Sequence, residues 1–327
     1  MSFETHRGIV PGPLKNLLFK NNGFAPPESF PTYRTLRDLI EYKAFHQPND
    51  IAFQYLKGRK EVISHTYAEF YQQVTYLGTY MLKRGIRGRN IALVGENSYQ
   101  WLLCFFAIVT TGNTAVLVSK DATPAEASTM IFQSKADVVV ISKKYAYGKD
   151  LLEQKLLKSK YCFSMRDLED WAERGQRFYE KGRDLYQKVT LDPEQMCTIF
   201  FTSGTSGTNK GVMLSHQNML SNANDASQVF QPHGGTLAIL PFTHAFGLNT
   251  GILMLLHYGY PIFISNGLAS FMRELTIAKP TILFLVPLFI ETFSNTIWRT
   301  AEKHGQTKTL RLAMTASNAL RKIGLDR

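Results

Sequence analysis

Residues 198–216 read Thr-Ile-Phe-Phe-Thr-Ser-Gly-Thr-Ser-Gly-Thr-Asn-Lys-Gly-Val-Met-Leu-Ser-His. An apolar run, Cys197–Phe201, enters a segment of glycines and hydroxyls from Thr202 to Gly211, and a second short run, Gly211–Leu214, leaves it. Glycines let the backbone turn tightly and aim N–H groups at an anion. The hydroxyls of Thr202, Ser203, Thr205, Ser206 and Thr208 add donors, Gly204 and Gly207 add freedom, and Lys210 adds a positive charge. Together they suit the oxygens of a polyphosphate. The spacing is not that of a Walker A loop, and a strand, not a phosphate-capping helix, follows it. A helix begins only at Ser215, a good N-cap residue. A flexible linker has a similar composition, but linkers rarely lie between two aliphatic strands or end on a lysine.

Outward from this segment the chain alternates between strand and helix patterns. On the N-terminal side, Ile51–Leu56 and Glu61–His65 predict a hairpin around Lys57-Gly58-Arg59. Thr66-x-x-Glu69 is a capping box opening a helix to Lys83, and Gly85 supplies its stop. Ile91–Val94, Ala115–Val118 and Asp137–Ser142 read as buried strands, with a helix over Tyr99–Val109 and another after Thr123-Pro124-Ala125-Glu126. On the C-terminal side, strands are expected at Thr236–Leu240, Pro261–Ser265 and Thr281–Val286. Helices are expected at Gln217–Phe230, Leu248–His257, Phe271–Ala278 and Leu288–Lys303. The tail from Thr307 places Leu312, Ala316, Ala319, Leu320 and Ile323 on one helical stripe. Such alternation predicts an α/β fold with largely parallel sheets flanked by helices.

The expected organisation is an N-terminal arm over residues 1–30 and one large domain over 31–327. That domain divides into a first sheet lobe at about 50–142, a charged connector of surface helices and loops at about 143–195, and a second lobe at about 196–327. Lysine and arginine number 37 against 26 aspartates and glutamates, a formal charge of +11. That balance attracts nucleotides, CoA, acidic lipid and nucleic acid alike. The basic residues are scattered and no nucleic-acid recognition motif appears, so no nucleic-acid partner is expected. Cys104, Cys162 and Cys197 are widely spaced, which disfavours disulfides and zinc and points to a reducing compartment. The N-terminus lacks a secretory h-region, and Thr110–Thr114 interrupt the longest apolar stretch, so a soluble cytoplasmic protein is expected.

The segment Thr202–Thr208 followed by Lys210-Gly211 and Ser215-His216 resembles the phosphate loop of the AMP-forming acyl-CoA synthetase, luciferase and peptide-synthetase adenylation superfamily. Asn209 stands where proline is usual. Leu240-Pro241-Phe242-Thr243-His244-Ala245-Phe246-Gly247 resembles the family's second motif, whose His or aromatic side chain borders the carboxylate and thioester sites. Lys279-Pro280-Thr281 through Val286-Pro287 and Glu291 resemble the strand and helix that wall the acyl pocket, with Leu288 in place of a common arginine. The resemblance covers roughly residues 30 to 327 and implies the N-terminal large domain of an adenylate-forming enzyme, with two helix-flanked sheet lobes.

The resemblance also implies a reaction. A carboxylate would join AMP with loss of pyrophosphate, and the acyl group would pass to the thiol of CoA. ATP, Mg²⁺ and CoA are the implied cofactors and cosubstrates, with peripheral membrane contact among the expectations. Lys210 and the loop donors Thr202, Ser203, Gly204, Thr205, Ser206, Gly207 and Thr208 would hold the phosphates, and His244 would shape the acyl entrance. Residues 242–246 lack the acid that pairs with an amino-acid substrate, and a buried unpaired ammonium is costly. The run Ser317–Arg327 resembles a helix of bacterial long-chain fatty acid–CoA ligases. An aromatic or short-chain acid, or a non-catalytic nucleotide- or acyl-binding module, is the alternative. Ile252, Leu253, Leu256, Phe284, Leu285 and Leu288 fit either an apolar channel or a plain core. No Tyr-Gly-x-Thr-Glu, Thr-Gly-Asp or C-terminal lid follows, so the metal ligands are not identifiable, and little ligase activity is expected of this polypeptide alone.

Overall fold

The structure, a computed structural model, describes residues 31–142, 162–203, 209–230 and 232–322. Helix α1 (Leu36–His46) starts at Thr35, whose hydroxyl accepts from Asp38 N–H while the Asp38 carboxylate accepts from Thr35 N–H. Strands β1 (Ile51–Lys57) and β2 (Glu61–Thr66) form the expected antiparallel hairpin. Helix α2 (Tyr67–Lys83) opens on the Thr66–Glu69 capping box. Next come β3 (Asn90–Val94), α3 (Tyr99–Val109), β4 (Thr114–Val118), α4 (Pro124–Gln133) and β5 (Val138–Ile141). The Thr123–Glu126 box and Pro124 start α4 as the sequence predicts.

The charged connector does more than join two lobes. Its described part contains strand β6 (Cys162–Ser164), which pairs parallel to β5, and helix α5 (Asp167–Glu180). Gly175 of α5 lies against the Tyr76 carbonyl of α2, so close that a Cβ there would overlap the oxygen. Tyr186, further along, is fully buried, with the Arg37 guanidinium 4.5 Å from its ring centroid. Helix α5 buries Leu168, Trp171 and Gly175 on one face, but its many charges keep its mean hydropathy low and β6 has only three residues, which is why this stretch reads as surface.

The remaining strands are β7 (Met196–Ser203), β8 (Asn209–Ser215), β9 (Thr236–Ala238) and β10 (Ile262–Ile264). One sheet has the order β2-β1-β10-β9, the other β6-β5-β3-β4-β7-β8. Each sheet therefore takes strands from both sides of the connector, and the sequential division into lobes at 142 and 196 is not how the sheets assemble. In the larger sheet β3 to β7 run parallel and only β8 is antiparallel. Ala92, Val94, Val116, Val118, Val139 and Ile199 pack on Ala127, Met130 and Ile131 of α4. Phe53 of β1, Phe70 of α2 and Phe106 of α3 stack edge to face, with ring centroids 4.7 and 5.3 Å apart. Burying such aliphatic and aromatic surface is the main stabilising contribution.

Helix α6 (His216–Val229) is capped by Ser215, as predicted. The helix expected at Leu248–His257 begins instead as a π-helix, Phe246–Leu253, and becomes regular only in α7 (Met254–Tyr258). Ile252, Leu253 and Leu256 on this stretch are fully buried, which supports the core reading for them. Helix α8 (Phe271–Ala278) matches its expected range. The strand expected at Thr281–Val286 is reduced to one parallel bridge between Ile282 and Thr236. Ile282 also ends the first of two units, Met1–Ile282 and Leu283–Arg327.

The second unit holds α9 (Pro287–Lys303) and α10 (Thr307–Lys322). Between them lies an apolar crevice of about 430 Å³ lined by Leu285, Phe293, Ile297, Trp298, Leu310 and Met314. Leu288 and Leu312 point outward, 68% and 71% exposed, so neither belongs to a core among the described residues. Ile323, the last residue of the predicted stripe, and the arm over residues 1–30 lie outside the described residues. No described helix is long and apolar enough to cross a membrane.

Candidate functional site

The glycine- and hydroxyl-rich segment closes the hairpin between β7 and β8. Backbone pairing runs up to Ser203 opposite Asn209 and Thr202 opposite Lys210. Regular strand thus runs two residues into the loop expected at Thr202–Gly211 and resumes at Asn209, because Thr202 and Ser203 pair across the hairpin with Lys210 and Asn209. Gly204, Thr205, Ser206, Gly207 and Thr208 lie outside the described residues. Residues directly opposite in an antiparallel pair share one face, so the Thr202 hydroxyl and the Lys210 ammonium project on the same side of the hairpin. Both residues are exposed, and Lys210 makes no ion pair with a described residue.

The end of β7 belongs to the carboxyl edge of the parallel strands β3 to β7. Ligands of open α/β sheets bind at that edge, where loops and helix N-termini converge. Along the same edge, at the ends of β3, β5 and β6, lies a crevice of about 630 Å³ lined by Glu96, Ser98, Gln100, Ser142, Met165, Arg166 and Glu169. No motif announces it in the sequence, because its walls come from separate segments.

His244 stands at the other sheet's carboxyl edge, in the loop after β9. His244 N–H donates to Pro241 O across 3.1 Å, and Leu248 N–H donates to His244 O across 3.0 Å, which carries the chain into the π-helix. Gly247 is required here, since a Cβ would overlap the Pro241 carbonyl. His244, Ala245 and Phe246 are exposed, whereas Phe242 is buried beside Trp101 of α3 at 5.6 Å between rings. π-Helical turns are rare and gather at functional sites.

One side chain joins the two edges. Asn97, just past β3, donates from Nδ2 to Leu240 O at 2.7 Å and accepts at Oδ1 from Phe242 N–H at 3.0 Å. The sequence reading missed it, and no local signal identifies an asparagine whose partners lie 143 and 145 residues away.

A nucleophilic cysteine is absent from this arrangement. Burial pushes the Cys197 thiol at the base of β7 up to about 12 and raises that of Cys104 as well, which keeps both protonated. Among the described residues no group of three or more His, Cys, Asp or Glu side chains converges as a metal site. No step below passes through the Mg²⁺ that the resemblance implies.

Compared with known proteins, residues 40–325 match the family described as AMP-binding enzyme. A medium-chain-fatty-acid–[acyl-carrier-protein] ligase of Moorena producens is 22% identical over 260 residues, 76% of this chain and 42% of the relative. A long-chain-fatty-acid–CoA ligase of Escherichia coli is 26% identical over 263 residues, 69% of this chain and 46% of the relative. Among solved structures, the fatty acyl-adenylate ligase from L. pneumophila in complex with acyl adenylate and pyrophosphate superposes with a TM-score of 0.65 at 21% identity, covering 78% of this chain and 45% of that one. The chain spans less than half the length of each of these relatives.

Proposed function

Because the chain belongs to the family of AMP-binding enzymes, we propose that it carries the phosphate- and acyl-binding side of a fatty acid-activating, adenylate-forming ligase. The observation that carries this reading is the β7–β8 hairpin, whose Thr202 and Lys210 flank the glycine-rich segment on one exposed face at the carboxyl edge of a parallel sheet. In the first step a carboxylate oxygen attacks the α-phosphorus of ATP. The new O–P bond replaces the α–β bridge bond, and pyrophosphate leaves with its electron pair. The carboxylate is already ionised, so no proton need move. The barrier comes from bringing two anions together, and fixed positive charge and donors lower it. Lys210 and the segment Thr202–Thr208 would hold the leaving phosphates. His244 would border the carboxylate. In the second step the CoA sulfur would bond to the acyl carbon as the acyl C–O bond breaks, AMP leaving with the electron pair and the thiol proton passing to solvent.

A fatty acid is the favoured carboxylate because both quoted relatives are named as fatty-acid ligases and no acid lies at residues 242–246 to pair with a substrate amine. Medium and long chains both occur among those names, so chain length is left unassigned. The test is equilibrium binding of non-hydrolysable acyl-sulfamoyl adenosines to the purified chain. A fatty acyl analogue is expected to bind at least roughly 10-fold tighter than an aminoacyl one, since the buried ammonium lacks a counter-charge. Tighter binding of the aminoacyl compound would overturn the substrate class. Equal ATP affinity for wild type and Lys210→Ala would remove the phosphate role.

A further inference from the structure

The described contacts around the His244 loop assign it an anchor outside its own segment. Leu240 and Phe242 are buried, and the Leu240 carbonyl and Phe242 N–H both meet the carboxamide of Asn97. The two bonds use opposite ends of that amide, donor to carbonyl and acceptor to N–H, so the orientation of the side chain follows from its partners. The neighbouring Thr243 hydroxyl is buried and makes no hydrogen bond among the described residues. Behind Asn97, Ser98 caps α3 by accepting from Trp101 N–H at 3.1 Å, and Trp101 is the ring that packs on Phe242. A rigid strand end therefore fixes the loop by two hydrogen bonds and one aromatic contact.

We propose that Asn97 is a positioning residue for the acyl side of the site: it ties the His244 loop of one sheet to the end of β3 in the sheet that carries the phosphate hairpin. β3 is separated from β7 by β4 alone, so its end shares the carboxyl edge with Ser203, the last residue of β7. A displacement of the loop would shift His244 and Phe246 relative to the strands β7 and β8 without altering the pairing of those strands. The inference rests on reading Thr202–Gly211 and His244 as the adenylation site. It adds a residue that makes no substrate contact of its own.

The experiment uses the full chain and two variants, Asn97→Ala, which removes both bonds, and Asn97→Ser, which keeps one small hydrogen-bonding group in case the alanine variant folds poorly. Three quantities are read: the NMR signals of the His244 ring and the 240–248 amides, ATP affinity, and affinity for a fatty acyl-sulfamoyl adenosine. Stranding one buried carbonyl and one buried N–H should weaken the analogue roughly 10-fold, while ATP affinity changes less than about 2-fold. The His244 ring signals should move in both variants. Unmoved ring signals together with unchanged analogue affinity would overturn the role of Asn97. Failure of the wild type to bind either ligand would instead overturn the adenylation reading, and the ring signals would still show whether Asn97 fixes the loop.

Discussion

Leu36 N–H, at the start of α1, donates to Nδ1 of His216 across 3.3 Å, joining the first described helix to the residue that opens α6. His216 is only 1% exposed, and burial holds its pKa down to about 4. His257 is likewise lowered to about 4, first by burial and then by the charge of Lys43. Both rings are neutral in the folded protein, whereas an unfolded histidine titrates near 6.5. Between pH 6.5 and 4 the unfolded chain binds more protons, so stability is complete above that window and falls as the pH drops through it. For His216 alone the loss is on the order of 3 kcal/mol. Urea unfolding against pH should show this acid limb. A His216→Phe variant should make it shallower while the His257 share remains, at a cost of about 1 kcal/mol at neutral pH from the stranded Leu36 N–H. An unchanged slope would mean that the ring does not sense burial as described.

At the scale of elements, α5 approaches α2 closely at Gly175 and Tyr76. Gly175→Ala should lower stability by about 1–3 kcal/mol through overpacking, despite alanine's better helix propensity. Thermal unfolding measures it, and a rise in Tm would show that the two helices are not in register there. Nothing in the sequence around Gly175 announces this contact, whereas other elements were plain. Capping boxes at Thr66 and Thr123 and the aliphatic runs of β3, β4 and β5 carry their own local signals. The β7–β8 hairpin was legible for the same reason, because its two apolar runs and the segment between them are contiguous. What stayed hidden depends on distant partners. Phe53 pairs with Ile262 in register, yet no feature of either strand names the other. The π-helix after His244 also escaped, since its buried apolar residues fit a regular helical period equally well. Asn97 belongs to the same class.

Over the whole molecule, the two units differ in how much apolar surface they cover. Within Met1–Ile282 the strands β3 and β4 are almost wholly buried, whereas α9 and α10 leave Leu288, Ile290, Leu312 and Met314 exposed. Local opening free energy follows buried contact, so amide exchange in α9 and α10 should be at least roughly 100-fold faster than in β3 and β4. Equal protection in the two units would contradict this. The central claim, however, concerns the hairpin in the first unit. Its most direct test is an ATP titration of the full chain followed through the backbone amides of Thr202–Gly211. Shifts concentrated in that segment and lost in Lys210→Ala are the predicted result. Amides that stay unmoved at saturating ATP, or that move as much in the variant as in the wild type, would contradict it.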